Sequence, residues 1–438
     1  MKKRVLCSLL VILLVLSCFG CAKTETSKET ASSETTTTTE ASSGQTKELS
    51  VWMPPFGTGD TMDKEFWEAQ FDAFEAEYGV TVDFQIISWS NYPEKYMAGS
   101  AGGNGPDVGY LYADIFPDFI EMGAIQDIGD LITDHDREIY PYLEEGFILG
   151  KQYALPFIMG NPRVIYYNKA ILAEAGIEAP TEPITWDAFI DIAKTVTQDT
   201  DGDGTVDQWA AAMGWGATSY GIMQETFTPF LLQAGGELFA DDGKTATFGS
   251  EAGIRAAQFV HDLIYVHEVM PKTVTGMTHD DCMTMFNNGE TAFMFAATAD
   301  AVEIDETIDW GFIPCLEDEI AATMSVADQL VLMSDCEDRE LGYALIQYML
   351  SPEVQAAFHT QVSPYPPVNL EESYNDNPLF EELFTQQADL LKTEKPVSGA
   401  YKISDYLYKN LQLVMMDEMS AEEALTQAEE YANTVMQE

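Results

Sequence analysis

Short runs of strand-forming residues, LSVWM, VTVDFQII, DVGYLY, VIYYN and LVLM, alternate along this chain with helical patterns, and no other feature restricts its fold as much. In TMDKEFWEAQFDAFEAEYG, Phe66, Phe71, Phe74 and Tyr78 recur at spacings of three to five and mark one apolar helical face. Alternating strands and helices imply an α/β body whose ligands bind beyond the strand ends. From Leu49 to Glu438 the chain is long enough for one large or two linked domains with a substantial core. No internal repeat is visible.

What precedes that body reads as an address. Lys2, Lys3 and Arg4 lead into an apolar stretch from Val5 to Leu16, too short to span a bilayer as a permanent helix. Residues 1–20 are therefore expected to be a cleaved export signal. The end of the stretch, LSCFGCAK, resembles the lipobox of bacterial lipoproteins, in which a cysteine receives a diacylglyceryl group. Cys21 follows Gly20 and precedes Ala22, and Cys18 is the alternative. Residues 21–48 hold Thr, Ser and Glu with almost no large apolar side chains, so they cannot bury enough surface to offset the entropy of ordering and are expected to form a disordered tether. The body would then sit on the extracellular face of the cell membrane, held there by lipid.

The charge narrows the partners. The chain carries 73 Asp and Glu against 21 Lys and Arg, a net charge of −52, and such a field repels nucleic acid and anionic lipid. The acids are spread along the whole chain, which suits solubility. Beyond the leader lie Cys282, Cys315 and Cys336, an odd number, so disulfides are not the framework.

Catalytic signatures are missing. GFILGKQ lacks the spacing of a phosphate-cradling loop, GSEAG is not a nucleophile elbow, and His267 and Glu268 are followed by Val269, Met270 and Pro271 instead of completing a zinc motif. With so many carboxylates, a pair picked by eye proves nothing. These signatures name no catalytic centre.

One loop carries specific chemistry. From Asp199 the chain reads DTDGDGTVDQW, with carboxylates at relative positions one, three, five and nine and glycine at six. This matches the front of an EF-hand-type calcium loop, with Asp199, Asp201, Asp203, the Thr205 carbonyl and Asp207 as ligands. Ala210 stands at position twelve, where a bidentate Glu belongs. A structural calcium ion is the expectation, and a solvated Asp/Gly turn is the alternative.

Longer segments then spell a family. GNGPDVGYLYADIFPDFIEMGAIQDIGDLI, GKQYALPFIMGNPRVIYYNKAILAEAGIEAPTEPITWDAF, FNNGETAFMF, and LGYALIQYMLSPEVQAAFHT followed by SPYPP resemble, in order, segments of the extracellular solute-binding proteins of carbohydrate ABC importers, the family of maltose-binding protein. The resemblance implies a type II periplasmic-binding-protein-like α/β fold of two lobes joined by a hinge, with the ligand cleft between them. Lobe 1 is expected over 49–155 and 300–369, and lobe 2 over 156–299 and 370–438. The chain would cross at Leu155 and Pro156 and return near Phe295 to Asp300. The implied function is that of a monomer that closes on a sugar and docks on membrane permease subunits, a binder and not an enzyme, with no catalytic cofactor.

The resemblance also places ligand contacts. Trp89, Tyr92, Tyr112 and Asp114 fall in loops after lobe 1 strands, whereas Asp107 and the Trp52 side chain read as structural, with the PPFGTG loop after Trp52 expected to face the ligand. Asn161 and Arg163 follow the first crossing, and Trp215 and Glu225 flank a loop that resembles the family's aromatic sugar contact. Ser325 and Asp328 come from SVADQLVLM, and Tyr365 from SPYPP. On the return segment Ala299 stands where maltose-binding protein has a stacking aromatic, so maltodextrin is not implied. A non-sugar solute such as a polyamine or polyol phosphate, and an extracellular hydrolase, remain open as rival readings.

Overall fold

The computed structural model describes residues 47–57, 61–112, 115–240, 243–372, 380, 382–383 and 386–437, so the export signal, Cys18, Cys21 and most of the tether lie outside it. No helix among the described residues is long and apolar enough to cross a membrane. Two sheets organise the body. Their strands, in chain order, are β1 (Lys47–Met53), β2 (Val80–Ile86), β3 (Val108–Leu111), β4 (Ala154–Gly160), β5 (Arg163–Asn168), β6 (Trp209–Ala212), β7 (Thr291–Ala297), β8 (Trp310–Ile313) and β9 (Val326–Leu332). The first sheet has the order β2-β1-β3-β9-β4 and the second β8-β5-β7-β6. In the first, β1 runs parallel to β2 and β3, while β9 returns antiparallel to β3 and β4. β1 begins at Lys47, paired with Val80, so the globular body takes in two residues assigned to the tether.

Helices cover the sheets by burying apolar stripes. α1 (Met62–Tyr78) buries Phe66, Trp67, Phe71 and Phe74 and stops at Gly79, whose φ of 68° suits a residue without a Cβ. Tyr78 does not share that burial. It is 45 % exposed and lays its ring on Phe74, with centroids 4.3 Å apart, because the stripe drifts round toward Trp67. In the second lobe, α2 (Glu251–Tyr265) packs against α3 (Ala400–Met415) and α4 (Ala421–Val435). The three body cysteines are free and buried.

Strand pairing moves both expected crossings. β4 continues past Leu155 and Pro156 and stays in the first sheet to Gly160, which pairs with Val326. Pro156 is tolerated because β4 is an edge strand and the register shifts between its partners Asp328 and Gln329, where a missing N–H costs little. The outward crossing is therefore Gly160 to Arg163. Phe295 to Asp300 is not the return, since β8 pairs antiparallel with β5 in the second sheet. The return comes at Thr323 to Ser325. A third segment, Leu391–Lys392, pairs with Thr323–Met324, and Ser325 N donates to Lys392 O at 2.7 Å. Three segments lying side by side make the hinge.

Candidate functional site

Residues from the facing ends of the two sheets meet at this hinge. Arg163 opens β5 and Asp328 lies in β9, on the opposite lobe. The lobes touch across the gap, with the Tyr112 and Tyr220 hydroxyls 3.3 Å apart and Thr218 Oγ1 donating to Ser90 O at 3.2 Å.

The first lobe supplies an aromatic wall. Phe56, in the loop after β1, packs edge-on against Trp89 at 5.9 Å, Tyr110 at 5.3 Å and Tyr365 at 6.2 Å. Trp89 is 42 % exposed and is steered by its Nε1 bond to Pro55 O at 2.8 Å, so a large part of its ring remains accessible. Tyr365 is buried against Phe358. Tyr92 differs from the placement expected for it. Its ring is fully buried and its hydroxyl donates to Tyr110 O, so it supports the wall from behind. Asp107 braces β1 by accepting from Ser50 N at 2.7 Å and Ser50 Oγ at 2.8 Å, and Trp52 is 8 % exposed. Asp114 lies outside the described residues.

The polar groups divide into two sets. Asn161 and Ser325 serve the hinge. Asn161 sits in the left-handed region at φ 46° and accepts through Oδ1 from Ala299 N at 2.9 Å and Thr298 Oγ1 at 3.3 Å. Ser325 Oγ donates to Gly160 O at 2.7 Å. Ser325 ties the return crossing to the outward one, and Asn161 ties the outward crossing to the segment after β7. The second set is electrostatic. His279, first residue of the helix His279–Asn287, is flanked by Glu225 Oε2 at 2.9 Å from Nδ1 and Asp300 Oδ2 at 3.8 Å from Nε2. Burial alone would push this imidazole down, but Glu225 and then Asp300 overrule it and raise it to about 10. Burial raises the Asp300 carboxyl, whereas His279 and Arg163 outweigh burial at Glu225 and hold it low.

Asp328 is 6 % exposed and accepts a 2.5 Å hydrogen bond from Tyr110 OH. Burial pushes its carboxyl up to about 7 against the pull of Tyr110 and Arg163. Arg163 donates to Asn161 O at 2.8 Å and to Gln224 Oε1. Sequence reasoning missed His279, Asp300, Tyr110, Tyr220 and Glu394, which come from five separate stretches of the chain. Only the PPFGTG loop, expected to face the ligand, pointed toward Phe56.

Trp215 is not on the cleft surface. It is fully buried and stacks on Tyr408 with an interplanar angle of 18°. Gly214 and Gly216 explain this, since a Cβ on either would meet backbone atoms of Thr278 or Gly276 at 2.6 or 2.4 Å. The loop lies flat on that neighbouring segment and turns the indole inward. Ala299, at 6 % exposed, has no aromatic role.

Around Asp199 the loop coils as expected from its glycines, with Gly202 at φ 78° and Gly204 at 96°. Both donate their N–H groups to Asp199 at 2.7 Å. Carboxylate oxygens of Asp199, Asp201 and Asp207 lie within 4.8 Å of one another, while Asp203 accepts from Thr205 N at 2.7 Å. Ala210 is buried in β6 and supplies no ligand.

A family model for bacterial extracellular solute-binding proteins matches residues 58–356. An arabinooligosaccharide-binding protein of Halalkalibacterium halodurans is 28 % identical over 206 residues, 45 % of this chain and 42 % of that protein. Among solved structures, an ABC transporter solute-binding protein from Thermotoga lettingae bound with α-D-tagatose aligns at TM-score 0.75 and 22 % identity, over 89 % of this chain and 100 % of that one. The maltose/maltodextrin-binding domain from Bdellovibrio bacteriovorus bound to maltotriose aligns at 0.74 and 20 %, again over 89 % and 100 %.

Proposed function

Because the chain belongs to the bacterial extracellular solute-binding protein family, we propose that it captures a sugar or oligosaccharide by lobe closure and delivers it to the permease of an ABC importer. The observation that carries this reading is the meeting of ring faces and planar polar groups at the hinge: Phe56, Trp89 and Tyr112 beside Arg163, Glu225 and Asp328. Sugars present C–H faces and rings of hydroxyls, and such a surface answers both. A ligand touching both lobes binds the closed form better and shifts the population toward it. Arabinooligosaccharide binding in the H. halodurans relative agrees with a saccharide as guest. The protein then acts as a binder with no bond broken, anchored through lipid on Cys21 or Cys18; mass spectrometry of the mature N-terminus tests the anchor.

Melting curves against a saccharide library, with product analysis and small-angle scattering on the hits, test the function. A true guest at a hundred times its dissociation constant is expected to stabilise the protein by about 2.7 kcal/mol, to compact it, and to be recovered intact. Turnover would make the protein a hydrolase. A response confined to polyamines or polyol phosphates would remove sugar as the cargo.

For the Asp-rich loop we propose calcium as a structural ion. The donors are hard oxygens, three of them convergent, which suits calcium at the modest affinity of extracellular modules, on the order of 10⁻⁴–10⁻³ M. Millimolar calcium is expected to raise the melting temperature, EDTA to reverse the rise, and Asp201→Asn to abolish the response. A wild type indifferent to calcium leaves a solvated turn.

A further inference from the structure

The charges around Arg163 do not balance. Glu225, Asp300, Asp328 and Glu394 all lie close enough to its guanidinium to be drawn down by it. His279 is the other cation in the group and is shared by Glu225 and Asp300. With everything ionised, two negative charges are left over, in a gap that the closed lobes shield from water.

Hydrogen bonding assigns the excess to particular residues. Among the described residues Arg163 forms no ion pair, and both of its terminal nitrogens donate to neutral oxygens, Asn161 O and Gln224 Oε1. Asp328 has the Tyr110 hydroxyl as its partner, at 2.5 Å, and Glu394 has Thr228 Oγ1, at 3.4 Å. Neither of these hydroxyls carries charge. Glu394 also raises the Asp328 carboxyl by repulsion, so the two acids share one field. Burial holds both near 7. Shielded carboxylates whose hydrogen-bond partners are neutral hydroxyls, beside a guanidinium that forms an ion pair with neither, are costly.

A neutral sugar hydroxyl would satisfy the lone pairs of Asp328 and Glu394 but leave the charge. An ammonium group answers both needs, with three donors and one positive charge. The adjoining rings of Phe56, Tyr110, Tyr365 and Trp89 call for a guest with flat C–H faces, which a linear polyamine or a bare metal ion does not have.

We propose that the guest is a saccharide bearing a protonated amino group, held with its nitrogen against Asp328 and Glu394. This rests on the sugar-binding reading and narrows it to a cationic class. Binding the ammonium pulls both acids into their ionised form, so near neutral pH protons leave the protein as the guest enters.

The test uses matched probes that differ in one substituent: glucose, glucosamine and N-acetylglucosamine, their β-1,4-linked dimers and trimers, and the galactose and mannose counterparts, with spermidine as a non-sugar cation. Affinity is read by calorimetry at pH 7 in two buffers of different ionisation heat. Amino members are expected to bind at least about ten-fold more tightly than their hydroxyl and acetamido partners, with proton release. Asp328→Asn and Glu394→Gln are expected to shrink that preference to about two-fold or less and to suppress the release. Asp328→Asn removes a shielded charge while keeping an acceptor for Tyr110, so it is expected to melt no lower than wild type at pH 8, which guards against a folding artefact. Neutral members binding as well as amino ones would overturn the proposal and leave the sugar reading standing. Spermidine binding while every saccharide is silent would overturn both.

Discussion

Trp215→Ala is expected to cost the unliganded protein about 3–5 kcal/mol, the loss typical of emptying a large aromatic from a core. The indole is fully buried against Tyr408, and the backbone around it is bound on several sides: Trp215 N donates to Val274 O at 2.9 Å, and Trp215 O accepts from Tyr408 OH at 3.1 Å and Gln412 Nε2 at 2.8 Å. Nothing in the surroundings lets the site collapse cheaply, because the backbone of Gly214 and Gly216 is already pressed onto Gly276 to Thr278. The indole N–H has no hydrogen-bond partner among the described residues. Trp215→Phe keeps most of the packing and discards that unpaired donor, so it is expected to lose well under half as much. Denaturant titration of both variants without ligand checks the pair. An alanine variant as stable as wild type, with sugar affinity reduced, would put the ring back on the cleft.

His279→Ala is expected to cost about 3 kcal/mol or more, since it strands two carboxylates that are each under a quarter exposed, Glu225 at 14 % and Asp300 at 22 %. The pH dependence carries the stronger evidence. The folded-state imidazole lies at about 10, above its ordinary value of 6.5. A base raised on folding contributes its full stabilisation below the unfolded value and loses it as pH climbs through the folded one. The gap between wild type and variant is therefore expected to be largest near pH 6, to narrow steadily through pH 8, and to close approaching pH 10. Urea titrations at those three pH values decide it. A gap that stays constant with pH would mean that His279 is neutral and the flanking acids hold the proton.

The aromatic wall and the hinge were legible to different degrees. Trp89 in the loop after β2, and the loop carrying Phe56, follow from strand order together with resemblance, because α/β sheets present their loops at the strand ends. Tyr92 failed on distance. It lies one turn further along, and its hydroxyl reaches Tyr110 O inside the lobe. Asn161 and Ser325 lie at the hinge, where their side chains bind the scaffold, Asn161 accepting from Ala299 N and Ser325 donating to Gly160 O. Loop residues near a site can serve the ligand or the scaffold, and composition does not separate the two uses.

Glu394 and Asp300 left no local mark. In a chain with 73 acids, an acid becomes exceptional only through what surrounds it, and the partners Arg163, His279 and Asp328 come from segments far apart. The expected crossings erred for a related reason. Hydrophobic runs announce strands, but Leu155 and Trp310 carry no label saying which sheet will pair with them.

What the residue order determined by itself is everything that depends on neighbours along the chain: the alternation of strands and helices, the helix stop at Gly79, the turns at Gly202 and Gly204, and a family likeness spread over most of the body. Tertiary structure alone decided which aromatic rings face the gap, where the hinge lies, and that one arginine would stand among four carboxylates. Pairing and burial join residues hundreds of positions apart, and the electrostatic cost of a charge is set by those distant groups and by the water they exclude.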